Sequence, residues 1–152
     1  MSLARTGLWL VTAALATGTG VVAAAQPVPA QSLLSVEIEK HAELTSDGSV
    51  TFRVHVTCGP LPGSPDFREG LAGAGQAKTG AGAEGGLSPD VVCDGVERVY
   101  TAGVSLITED PFRPGPAIAT ATVIACNVVG DEQVCVQVSA RRSIRIHGPL
   151  QD

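Results

Sequence analysis

The sequence predicts an all-β protein: a single immunoglobulin-like antiparallel β-sandwich of about seven strands, stapled by disulfides and placed after an N-terminal signal peptide. Three observations carry this expectation. The segment Ser49 to Cys58 alternates apolar and polar side chains with a period of two. Turn dipeptides recur at sandwich-like spacing, with no amphipathic helical pattern after the leader. Four cysteines stand in a chain that opens with an export pattern.

The leader comes first. Arg5 supplies a positive start, Leu8 to Ala16 an apolar stretch, and Gly18 and Gly20 break the run before small residues. Cleavage fits after Ala25 or after Ala30, so residues 1–30 are read as a signal peptide, 31–148 as the folded domain and 149–152 as a tail. Thr12, Thr17 and Thr19 dilute the run, which argues against a retained membrane anchor. The expected location is therefore outside the cell, secreted or in the cell-wall space, with no membrane span in the mature protein.

Val36 to Leu44 is the first expected strand, joined through the Asp47-Gly48 turn to Ser49–Cys58. In the latter, Val50, Phe52, Val54, Val56 and Cys58 share one face, so that face is buried. From Gly59 the pattern collapses. A weak strand passes through Phe67 to Leu71, and residues 70–86 form a Gly/Ala-rich tract read as a mobile loop, because ordering glycine is entropically costly. Apolar pattern returns at Asp90 to Cys93 and runs on through Val96 to Ile107. The Phe112-Arg113-Pro114-Gly115 turn leads to Ala117–Cys126, too rich in β-branched residues for a comfortable helix. Val134 to Ile146 completes the domain, with Val134, Val136, Val138, Ala140, Ile144 and Ile146 on one parity.

Composition narrows the function classes. The formal charge of −5 becomes one unit more negative once Arg5 is lost, which argues against a nucleic-acid partner. Arg141, Arg142, Arg145 and His147 cluster near the end and read as a solvated strand face. With only Phe52, Phe67, Tyr100 and Phe112 after the leader, aromatic platforms for sugar stacking and strong protein hot spots are scarce.

No catalytic, cofactor or metal constellation emerges. Gly80 to Gly85 matches the G-x-G-x-x-G pattern, but that motif works between a strand and a helix N-terminus, and no helix follows. Gln76 to Thr79 lacks the glycines of a phosphate loop. His41, His55 and His147 are the only candidate bases for a hydrolase, and no nucleophile elbow accompanies them. His55 alternates outward with Arg53 and Thr57. The acidic pairs Glu109-Asp110 and Asp131-Glu132 read as solvated turns. The chain is expected to be non-enzymatic, with no cofactor.

Val56-Thr57-Cys58, Cys93-Asp94-Gly95, Phe112-Arg113-Pro114-Gly115 and the alternating strand after it resemble a family of small exported actinobacterial proteins described only as a domain of unknown function. The resemblance spans Val36 to Ile146 and implies a sandwich with a Cys58–Cys93 bridge. It implies no activity. A weaker likeness is to the neocarzinostatin-type chromophore carriers, small exported sandwiches with two disulfides, from which the long Cys58-to-Cys93 interval departs. Of three possible connectivities, Cys58–Cys93 with Cys126–Cys135 is expected. A hairpin would bring the second pair together, and the first would pin the Gly-rich excursion. Cys58–Cys126 is the rival, imitating the inter-sheet bridge of antibody domains. The functional expectation is an extracellular binding or surface-associated module with an extracellular or cell-wall partner, with a carrier of an apolar small molecule, or an unrecognised enzyme, as the alternatives.

Overall fold

The computed structural model describes residues 33–148; the leader, both cleavage points and residues 149–152 lie outside them. Seven strands follow in order: β1 (Leu34–Leu44), β2 (Val50–Cys58), β3 (Ser64–Gln76), β4 (Ala81–Ser88), β5 (Glu97–Leu106), β6 (Gly115–Val129) and β7 (Glu132–His147). They pair as β1-β2-β5-β4-β3-β6-β7, and β7 returns to β1, so the sheet closes into a barrel. The expected immunoglobulin-like sandwich is thereby corrected. A sandwich keeps two sheets with free edges; here both seams between them are hydrogen-bonded.

The first seam is sealed by the tract expected to be a mobile loop. Residues 71–76 pair antiparallel with 81–86 around a turn at 77–80, and the other edge of β3 pairs with β6. Residues 70–86 are thus mostly strand, and the loop reading is wrong. Ala72, Ala74, Ala81 and Ala83 are buried while the intervening glycines face outward, so the period-two pattern is present, written in the smallest side chains. Enough backbone hydrogen bonds form on both edges of β3 to offset glycine's entropic cost.

The second seam is parallel and short: His41, Ala42 and Glu43 of β1 pair with Arg145, Ile146 and His147 of β7. β1 reaches it through an irregularity between Ile38 and Ala42 that changes its register against β2. Toward the Leu34 end, the Arg142 guanidinium crosses from β7, donating to the Ile38 carbonyl and to Glu37 Oε1.

Inward side chains fill the barrel. Ile38, Val50, Val54, Val56, Tyr100, Val104, Val123 and Ile146 are fully buried, and alanines on β3, β4 and β6 let the walls approach closely. Two buried amides tie loops to the wall. Gln76 donates from Nε2 to the carbonyls of Arg113 (2.8 Å) and Pro116 (3.3 Å), and its Oε1 accepts from the Arg113 N–H. Asn127 donates from Nδ2 to the carbonyls of Leu61 and Pro62. The disulfides are Cys58–Cys93 and Cys126–Cys135, the expected pairing. The first ties the end of β2 to the β4–β5 connection, and the second crosses the β6–β7 hairpin.

Candidate functional site: a glycine-floored groove on the barrel wall

Because side chains occupy the interior, the hollows of interest lie on the outer wall. One, of about 620 Å³, runs over β3 and β4 and is bounded by Ile107, Ile118, Thr120 and Arg141. A second, about 550 Å³, shares Gly73, Glu84 and Thr120 with it and extends toward Leu71 and Thr122. The registers explain its layout as three rows across the strands. One row runs Gly82–Gly75–Ile118–Ser143, the next Glu84–Gly73–Thr120–Arg141, the third Gly86–Leu71–Thr122–Ser139. The floor is bare peptide backbone at Gly73, Gly75 and Gly82, with Gly86 just beyond it; isoleucines form walls, and opposite charges stand at the two ends of the middle row.

Those glycines fall into two kinds. A Cβ on Gly73 would crowd the Thr120 hydroxyl at 2.9 Å, and one on Gly86 would press the Gly70 carbonyl at 3.1 Å. On Gly75 the nearest atom would be 4.0 Å away, and on Gly82 3.4 Å, both ordinary contacts, and neither residue needs a positive φ. Neither packing nor backbone conformation therefore requires glycine at these two positions. Each costs roughly 0.5–1 kcal/mol relative to alanine inside a strand. What the missing side chains provide is open space above the backbone, which is one role of glycine in a strand that another molecule approaches closely.

The sequence-level candidates are placed as follows. Gly80, Gly82 and Gly85 lie in a turn and on β4, with no helix after them among the described residues, so no dinucleotide site forms. His55 does face outward, and both ring nitrogens are engaged: Nε2–H donates to Glu39 at 3.0 Å and Nδ1–H to Glu97 at 3.3 Å. The hydrogen bonds to Glu39 first, then Glu97, hold its pKa above 6.5. When the ring is protonated, both of its N–H groups are committed to carboxylates and no lone pair is left to activate a nucleophile. Among the described residues, no three His, Cys, Asp or Glu side chains gather to hold a metal ion. Of the C-terminal basic cluster, Arg142 spans the β1–β7 seam and Arg141 borders the groove.

Two features escaped the sequence reading. One is the groove itself, whose signal was the Ala-Gly alternation on either side of residues 77–80. The other is a pairing of His41 with His147 across the seam, at 3.1 Å between Nδ1 and Nε2, visible only once β1 and β7 are neighbours.

Against known proteins the chain stands apart: no family model, no curated protein and no solved structure matches it. The resemblance to the actinobacterial family of unknown function is therefore withdrawn, and the closed barrel contradicts the sandwich on which it rested. The weaker likeness to chromophore carriers has no match behind it either. The class the chain defines is a small, disulfide-stapled, closed β-barrel. No helix among the described residues is long and apolar enough to cross a membrane.

Proposed function

We propose that this protein is an exported, non-enzymatic carrier that holds a flat, apolar small molecule in the groove over β3 and β4. The observation that carries the reading is the pair Gly75 and Gly82, where glycine serves no conformational or packing need and leaves the groove open. The groove's volume lies within the range of small-molecule sites, about 300–1,000 Å³. A planar apolar body fits a floor of exposed peptide planes flanked by Ile107 and Ile118. Glu84 and Arg141, at opposite ends of the middle row, orient its polar substituents. The closed barrel favours this carrier reading over a surface-associated module.

Fluorescence titration with Nile red and with 8-anilinonaphthalene-1-sulfonate tests the proposal. Gly75→Val should fill the groove and weaken binding at least about tenfold, or 1.4 kcal/mol. Thr57→Val on β2, on a different part of the wall, should change nothing. Equal affinity in Gly75→Val, with an unchanged thermal melt, refutes the groove as the site. Export rests on the leader pattern around Arg5 and Leu8–Ala16. Recovery of the protein outside the producing cell checks export, and intact mass of that material checks leader cleavage, which a species still carrying Trp9 overturns.

A further inference from the structure

We infer that His41 and His147 form an open, two-histidine site for a borderline divalent transition metal such as Zn²⁺ or Ni²⁺, clasping the barrel's parallel seam. The rings come from the first and last strands, 106 residues apart, with centroids 5.3 Å apart and planes tilted by 41°. His41 Nδ1 and His147 Nε2 face each other at 3.1 Å. A metal–nitrogen bond is about 2.0–2.1 Å, so two ligands of one metal stand about 2.9 Å apart at a right angle and about 3.3 Å at a tetrahedral angle. The observed separation falls between these values. The approach that serves as a weak surface hydrogen bond also places two imidazole nitrogens as cis ligands.

Both nitrogens must present lone pairs to the metal. His41 then carries its proton on Nε2 and His147 on Nδ1, so the proton shared between them moves away from the gap. The pair lies in a hollow of about 600 Å³ that also contains Glu39, Glu43, Thr51, Thr101 and Arg53. Since no third protein ligand converges with the two histidines among the described residues, water fills the remaining positions. Imidazole nitrogens favour Zn²⁺ and Ni²⁺ over the hard, oxygen-seeking Mg²⁺. Because His41 and His147 stand within the three residue pairs of the short β1–β7 ladder, a bound metal holds the seam shut.

The test is isothermal titration of untagged protein with Zn²⁺ and with Ni²⁺, with Mg²⁺ for comparison, alongside thermal melts. Expected are one equivalent of each transition metal, a raised melting temperature, and no heat with Mg²⁺. His41→Gln and His147→Gln should each weaken binding at least tenfold, and His55→Gln should leave it unchanged. Both substituted side chains are exposed and polar, so the folds should survive, and circular dichroism checks this. Absence of Zn²⁺ and Ni²⁺ binding, binding that survives both substitutions, loss on His55→Gln, or equal binding of Mg²⁺ each overturns the assignment.

Discussion

Removing the Cys58–Cys93 bridge should damage the barrel more than removing Cys126–Cys135. The first closes an interval of 35 residues and the second one of 9. Loop-closure entropy assigns about 4 kcal/mol to the longer and about 2.5 kcal/mol to the shorter. Burial adds to both losses, because Cys58 and Cys126 are each buried and truncating either to alanine adds a void costing on the order of 1 kcal/mol. Cys135 is exposed at the hairpin. Against a total stability of about 5–15 kcal/mol, the loss of the longer bridge removes a third or more. Urea titration of Cys58→Ala/Cys93→Ala and Cys126→Ala/Cys135→Ala, followed by far-ultraviolet circular dichroism, reads both. At a slope near 2 kcal/mol per molar urea, the midpoint should fall by about 2.5 M in the first variant and about 1.8 M in the second. Slopes must be compared as well, since a chain without a cross-link exposes more surface on unfolding. Equal midpoints, or the reverse order, refute the entropic argument.

Other substitutions probe the wall and its ties. Gly85→Ala should destabilise by about 1–3 kcal/mol, because its Cβ would lie 1.9 Å from the Gly103 carbonyl oxygen. Gly103→Ala meets nothing within 4 Å and should be neutral or stabilising by up to about 1 kcal/mol; paired thermal melts decide. Gln76→Leu orphans the Arg113 N–H and should cost about 3 kcal/mol, with faster hydrogen exchange at that amide; unchanged exchange would refute the clip. His55 has a folded pKa raised above 6.5, so its stabilisation is complete below 6.5 and disappears as pH rises through the folded value. The stability difference between the wild type and His55→Gln should therefore be larger at pH 5 than at pH 9, and a pH-independent difference contradicts the ion-paired geometry.

β2, β5, β6 and β7 were legible because large apolar residues alternate with polar ones, and such alternation reports a half-buried strand whatever its neighbours. Closure was not legible. It depends on β3 pairing with β4 and β6 together, and the strand signal in Leu71–Gln76 and Ala81–Gly86 is carried by alanine against glycine, which burial scales barely distinguish. The parallel β1–β7 seam joins residues more than a hundred positions apart, and no local pattern encodes that register. The groove was hidden for a related reason. Its floor is made by residues that lack side chains, so the positions that define it carry no chemical signature. The disulfides were legible because each bridge could be argued from where a strand ends.

The same bridges bear on how the molecule matures. They join the first cysteine to the second and the third to the fourth. In a chain delivered N-terminus first into an oxidising compartment, each cysteine meets its native partner as the next thiol to emerge. Cys58 and Cys93 can close before Cys126 arrives to compete, and Cys126 then has only Cys135 left to find. Under such delivery correct cross-linking would follow from the order of emergence, without the thiol reshuffling that the interleaved Cys58–Cys126 arrangement would require.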